Sequence, residues 1–271
     1  MQGASRAAAA EGQTALDAAL GHDGDRNALA DDLFGIAGAL DGSAALRRAL
    51  TDPSREGDVK RGVAERIFHG KLRESALGIV TTLAGQRWTA DRDLTDTIAS
   101  LAVQTVLAAA EREGRADDVE DQLFRFERTV AASPDLRDVL APRNTDARGK
   151  ADLVGRLLEG KAAPETVRLV RQAVSQPRGR RLEETLGEYL VLAARRRDEV
   201  TAVVTSAVAL SEQQTARLST ALEGIYGKSV SIQSIVDPEV LGGIRVQVGD
   251  EVVDGTILRR LDEARRHLSG G

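Results

Sequence analysis

The stretch DDLFGIAGALDGSAALRRALTDPSREGDVKRGVAERIFHGK (Asp31–Lys71) returns ungapped ninety residues later as DQLFRFERTVAASPDLRDVLAPRNTDARGKADLVGRLLEGK (Asp121–Lys161). Eleven of the 41 positions are identical: Asp31, Leu33, Phe34, Ser43, Leu46, Arg47, Leu50, Lys60, Arg66, Gly70 and Lys71, each with its partner ninety residues on. Where identity is lost, apolar character survives, as at Ala49/Val139, Val63/Leu153, Ala64/Val154, Ile67/Leu157 and Phe68/Leu158. After a two-residue offset the match resumes at Leu94/Leu182, Ile98/Leu186 and Val103/Val191, and it extends weakly back to Leu16/Val106. Such an ordered run implies a duplicated module of about 90–100 residues.

Each copy reads as helical. Leu29, Leu33, Ile36 and Leu40 recur at spacings of four, three and four, which puts them on one helix face. Val63, Ile67 and Leu72, then Ala76, Leu77, Val80 and Leu83, predict two short helices split at Gly70-Lys71. Leu94, Ile98, Leu101, Thr105 and Ala108 predict a longer helix that ends near Gly114 and leads into the second copy. Pro53 and Pro142 mark the corresponding loops before Lys60 and Lys150. Leu182, Leu186, Leu190 and Ala193 form the last stripe, ahead of Arg195-Arg196-Arg197, cations that suit the C-terminal end of a helix dipole.

From Glu199 the period changes. Val200, Val203 and Val204 with Thr201 and Thr205 make a β-branched run, and Ser211 followed three residues later by Gln214 fits a capping box. The helix that follows is expected to bury Leu218, Leu222 and Ile225 and to stop at Gly227. Val230 and Ile232 alternate into a second strand, Asp237-Pro238 is a turn and Gly242-Gly243 a bend. Ile244, Val246 and Val248 alternate with Arg245 and Gln247, and Gly249-Asp250 returns the chain through Val252 and Val253. A final helix carries Ile257, Leu261, Ala264 and Leu268 on one stripe. The expected architecture is mainly α: helical bundles over 1–104 and 105–198, then a small α+β domain over 199–271.

Composition narrows the chemistry. Of 271 residues, 42% are hydrophobic and 29% charged, the balance of an ordinary folded chain. Aromatics are only 3%, so the core must be built from Leu, Val, Ile and Ala, and so few rings argue against a stacking platform for single-stranded nucleic acid or sugars. There is no cysteine, hence no disulfide, thiolate nucleophile or thiolate metal site. A formal charge of −5 argues against nucleic-acid binding driven by overall charge. The N-terminus lacks the apolar core of a secretory signal, and no window is long and apolar enough to span a membrane. These features predict a soluble chain that works in the cytoplasm.

Two stretches imitate ligand-binding motifs. Gly155 to Lys161 comes within one residue of a phosphate-binding loop, but Ala162 stands where Mg²⁺ needs a hydroxyl and the surrounding pattern is helical. Asp23-Gly-Asp25-Arg-Asn27 opens like a calcium loop, yet Ala28 and Phe34 occupy the positions of its Gly and Glu. His22, His69 and His267 are scattered. No catalytic, metal or cofactor site assembles from the residues. The strongest charge feature is basic: Arg178, Arg180 and Arg181 with Arg195–Arg197, a solvated helix face or a docking surface for an acidic helix.

The segment Asp237-Pro-Glu-Val-Leu-Gly-Gly-Ile-Arg-Val-Gln-Val-Gly-Asp-Glu-Val-Val-Asp-Gly-Thr256 resembles the C-terminal signature of the delta subunits of F-type ATP synthases, relatives of the mitochondrial oligomycin-sensitivity-conferring protein. Asp237, Pro238, Gly242, Gly243, Gly249, Asp250 and Asp254 carry the likeness, and the strand-to-helix entry at Val204–Gln214 is similar too. Ala4-Ser-Arg6-Ala-Ala resembles the family's opening, with Ala in place of the usual aromatic. That family ordinarily has one bundle; two resemble the enlarged form of high-GC actinobacteria. The resemblance implies a non-catalytic stator subunit at the cytoplasmic face of the cell membrane, touching the membrane only through the complex. It implies that the helical part packs against N-terminal helices of alpha subunits. It also implies that the C-terminal part holds the end of the b-subunit stalk. Arg259, Arg260, Arg265 and Arg266 flank the last apolar stripe and are candidates for pairing with an acidic stalk segment, and Arg195 and Arg196 are further candidates for partner binding. A helical-repeat adaptor unrelated to ATP synthase is the alternative, and a nucleotide hydrolase built on Gly155–Lys161 a further one.

Overall fold

The computed structural model describes residues 3–22, 25–141, 146–196, 199–226, 229–238, 240, 242–248 and 251–254. The chain divides into two compact units, Met1–Ala193 and Ala194–Gly271.

The first unit is helical throughout: α1 (Ala4–His22), α2 (Arg26–Gly42), α3 (Ala44–Thr51), α4 (Gly57–Phe68), α5 (Glu74–Gly85), α6 (Asp91–Arg112), α7 (Ala116–Ala132), α8 (Pro134–Leu140), α9 (Ala147–Leu158), α10 (Pro164–Ser175) and α11 (Leu182–Arg196). The duplication is visible in register, since α2 to α5 recur ninety residues later as α7 to α10. The same local devices define both copies. Ser43 caps α3 by accepting from the Leu46 amide at 3.2 Å, and Ser133 caps α8 by accepting from Leu136 at 3.4 Å. Gly70 and Gly160 end α4 and α9 with φ of +71° and +66°, a conformation that favours glycine.

Two aliphatic cores fill this unit. The first holds Leu29, Leu33, Ile36 and Leu40 of α2 with Ile79 and Leu83 of α5. The second holds Leu123 and Val130 of α7, Leu169 and Val170 of α10, and Leu186 of α11. Each leucine so buried contributes roughly 1.5–3 kcal/mol relative to exposure.

Helix α6 belongs to both cores. Leu94, Ile98 and Leu101 face the first, whereas Val103, Val106, Leu107 and Ala110 face the second. Shifted by ninety, its residues 94–112 fall on α1; shifted by 88, Leu94 and Ile98 fall on Leu182 and Leu186 of α11. It is the last helix of one copy and the first of the next, so the expected boundary at 104/105 falls inside one continuous helix. Burial all round is the consequence, and the buried Thr105 hydroxyl is satisfied by donating to the Leu101 carbonyl at 2.8 Å. The helix ends in a Schellman turn: Gly114 has φ +69°, Arg115 N–H donates to the Ala110 carbonyl at 2.8 Å, and Gly114 N–H to Glu111 at 3.0 Å.

The second unit has β1 (Glu199–Ser206), α12 (Glu212–Tyr226), β2 (Ser229–Val236), β3 (Ile244–Val248) and β4 (Glu251–Asp254). The sheet order is β2-β1-β3-β4. Strands β1 and β2 run parallel, with α12 as their crossover, while β3 lies antiparallel to both β1 and β4. Alternation turns Ala202, Val204, Val246 and Val248 inward, where they meet Leu222 and Val230. The capping box forms as expected: Gln214 N–H donates to Ser211 Oγ at 3.3 Å and Ser211 N–H to Gln214 Oε1 at 2.9 Å. One expectation is corrected here. Ile225 is 73% exposed, and Tyr226, four residues after Leu222 and so on its face of α12, packs against the core instead. The expected terminal stripe Ile257–Leu268 lies outside the described residues.

Candidate docking surfaces

The N-terminal surface begins with an alanine stripe. Ala15, Ala18 and Ala19 lie at helical spacing on α1, and opposite them α5 presents Gly78, Ile79 and Thr82. Small residues on both helices leave an open groove of about 670 Å³, floored by methyl groups and with Arg73 and Glu74 at its mouth. Arg73 is fixed there: its backbone N–H and its Nε both donate to Asp32 of α2, at 3.1 and 2.9 Å. A Cβ added at Gly78 would meet no atom within 4 Å. Nothing of this kind was expected from the sequence, although the i, i+3, i+4 alanines carry the signal.

The second surface lies at one end of the sheet. Parallel β1 and β2 finish there side by side, with Ser206 opposite Val236. Asp237 N–H donates to the Ser206 carbonyl at 2.9 Å, and Ser206 Oγ donates to the Val208 carbonyl at 2.7 Å. Gly242 and Gly243, with φ of +65° and +78°, turn the chain back so that Ile244 pairs with Ser206. The signature residues Asp237, Pro238, Gly242 and Gly243 thus share one loop, and Asp254 sits opposite Arg245 in the β3–β4 register near it. Val208 and Val236 stand exposed at the same end. Gly249, Asp250, Arg259, Arg260, Arg265 and Arg266 lie outside the described residues. Arg195 and Arg196 occupy the last turn of α11, with Arg195 exposed.

The imitated motifs resolve into helix. Gly155 lies within α9, whose hydrogen bonds use the amides a phosphate would need, and Gly160 is its positive-φ stop. Space above Gly155 is taken by the Arg171 guanidinium, which donates to the Ala151 carbonyl at 3.0 Å. Asp25 is the N-cap of α2, accepting from the Ala28 amide at 3.0 Å, while Asp23 and Gly24 lie outside the described residues. Among the described residues no three His, Cys, Asp or Glu side chains gather as a metal site, and no helix is long and apolar enough to cross a membrane.

Buried charge in the helical unit is structural in character. Lys60 and Lys150, equivalent in the repeat, are both buried and donate to backbone carbonyls, Lys60 to Gln86 at 2.5 Å and Lys150 to Ala141 at 3.5 Å. Burial lowers the pKa of each ammonium. Glu165, in the first turn of α10, is clamped by Arg115, whose Nη2 and Nε donate at 2.6 and 3.2 Å.

The family model for the ATP synthase delta (OSCP) subunit matches residues 102–268. The chain belongs to the ATP synthase delta (OSCP) family. It is similar to "ATP synthase subunit delta" of Kineococcus radiotolerans, 47% identical over 269 residues, which is 99% of this chain and 98% of that one. With the protein of that name from Streptomyces griseus it shares 45% identity over 271 residues, the full length of both. The Nocardia farcinica relative is 39% identical over 270 residues, 99% of this chain and all of its own. The chain is therefore a non-catalytic delta subunit, a component of the stator of F-type ATP synthase. The family match starts within α6 and takes in the second helical copy and the α+β unit; the first copy lies outside it but inside the full-length matches to the relatives.

Proposed function

We propose that this delta subunit is a clamp with one attachment surface in each of its two units. The groove between α1 and α5 takes an amphipathic N-terminal helix of an alpha subunit, and the α+β unit grips the C-terminal end of the b-subunit stalk. Held at both ends, the catalytic head resists rotor torque, so that rotation is spent on proton-coupled ATP synthesis. The subunit sits at the cytoplasmic face of the cell membrane, bound to it only through the complex.

The observation that carries this reading is the open groove of small residues. An amphipathic helix needs an apolar bed flanked by polar groups, and α1 with α5 offers one that is open among the described residues. In the α+β unit, Val208 and Val236 are exposed apolar side chains, more than half accessible, at one end of the sheet. Arg259, Arg260, Arg265 and Arg266, with Arg195 and Arg196, would pair with acidic stalk residues; charge reversal there is expected to weaken b binding and flatten its salt dependence.

The direct test is photo-cross-linking in the assembled complex, with a photoreactive side chain at Thr82 or at Val236. Adducts with alpha from Thr82 and with b from Val236 are expected. Adducts with the opposite partner from either position would refute the assignment.

A further inference from the structure

Shifting the groove by the repeat maps Ala15, Ala18 and Gly78 onto Thr105, Ala108 and Arg168. In the second copy the corresponding surface is covered. Thr105 and Ala108 are fully buried, and the helix lying over them is α2, from the first copy. Arg26 donates to the Ala108 carbonyl, and Ala30 is part of the second core. From the opposite wall Arg168 donates to Asn27 Oδ1 and to the Asn27 carbonyl, both at 3.0 Å, and to Asp31 Oδ1 at 2.5 Å. Its guanidinium carbon lies 5.9 Å from the centroid of the Phe34 ring. A Cβ at Gly38 would sit 3.8 Å from Gln176 Nε2.

Asn27, Asp31, Phe34 and Gly38 follow the spacing four, three, four, which is the spacing of a helix face. The core stripe Leu29, Leu33, Ile36 and Leu40 has the same spacing displaced by two residues, about 200° around the helix. Helix α2 therefore serves the first core with that stripe, while its Ala30 and Phe34 reach the second core and the exposed Asn27 and Asp31 hold Arg168 at the edge.

We infer that α2 is a built-in ligand: of two homologous grooves the chain closes one with its own helix, and only α1/α5 remains for a partner. The partner helix enters α1/α5 in the pose that α2 adopts on α6/α10. Gly78, standing where Arg168 stands in the second copy, makes room for a bulky apolar side chain at the place Phe34 occupies. The identity of that partner as an alpha-subunit helix rests on the proposed function; closure of α6/α10 does not.

The chain has no cysteine, so a Gly38→Cys/Gln176→Cys pair can be joined selectively by a short bismaleimide. Closure predicts near-complete cross-linking of the folded full-length protein without loss of thermal stability. A pair that stays unlinked overturns it. A fluorescent synthetic peptide carrying the N-terminal segment of an ATP synthase alpha subunit then probes the grooves. The tethered protein is expected to bind one peptide with unchanged affinity, and Gly78→Trp to bind it at least about tenfold more weakly. Two peptides per chain, or affinity lost on tethering, shows the second groove opening and refutes the inference. A peptide that binds neither protein refutes the alpha-helix reading while the cross-link yield still decides closure.

Discussion

Among residues, identity across the repeat marks a job done twice. Ser43 and Ser133 cap equivalent helices, and Arg47 and Arg137 both donate to the carbonyl at the preceding helix end, Asp41 at 2.9 Å and Ala131 at 3.5 Å. Leu50 and Leu140 are buried, as are Lys60 and Lys150. Replacing Ser43 or Ser133 with Ala is expected to cost about 1 kcal/mol each, read as a shift in the denaturation midpoint. Not every identity works this way. Asp31 reaches across to Arg168, whereas Asp121 pairs with Arg125 on its own helix, so the repeat was legible but the inter-copy contact was not. That contact joins residues 137 apart, a separation no local pattern encodes.

The Glu165–Arg115 pair carries a pH signature. Burial works to raise the Glu165 carboxyl, but the hydrogen bonds from Arg115 outweigh it and hold the pKa below its ordinary value. A folded pKa below the unfolded one, about 4.3, gives stability that is present above that pH and lost as pH falls through the folded value. Thermal melts between roughly pH 3 and 7 should therefore show a steeper acid loss for the natural protein than for Glu165→Gln. Parallel curves would contradict the assignment.

Among elements, the helical periods, the Gly70 and Gly114 stops and the α12 capping box were readable because each is set within a few residues. The sharing of α6 was foreshadowed by the long helix expected from Leu94 to Gly114 and by the weak Leu16/Val106 match, but not the division of its faces between two cores. A helix buried on all sides shows no amphipathic stripe, so periodicity cannot assign its faces. Ile225 misled for the opposite reason: it continues the spacing of Leu218 and Leu222, but at the last turn Tyr226, four residues after Leu222, takes the place against the core. The alanine groove on α1 and α5 was missed because small residues register as weak hydrophobes.

The shared helix has a thermodynamic consequence. Two bundles joined by a flexible linker would melt separately, whereas two cores with a common helix should lose structure together. Leu83→Ala in the first core and Leu186→Ala in the second are each expected to cost about 2–5 kcal/mol. Both should lower the same calorimetric transition of the helical unit. If each variant instead splits off a transition of its own, the copies are independent and α6 is not the joint described above.

For the whole molecule, the duplication lengthens the helical unit without adding chemistry. One copy's groove is filled from within and the other stays open, while the exposed apolar loop end belongs to the α+β unit. A stator needs attachments and stiffness; a shared, mostly buried helix serves the second and the proposed docking surfaces the first. The C-terminal signature was the most legible part, because paired glycines at positive φ and strict alternation leave few folds open.

The claim at the centre is that the α1/α5 groove holds the head. Gly78→Trp tests it most directly, because a side chain there meets open space and leaves the chain's own packing undisturbed. The measurement is equilibrium binding of the full-length variant to the isolated catalytic head, with b-stalk binding followed in parallel. Head binding is expected to weaken at least about tenfold with stalk binding unchanged. Unaltered head binding by a folded Gly78→Trp protein would contradict it.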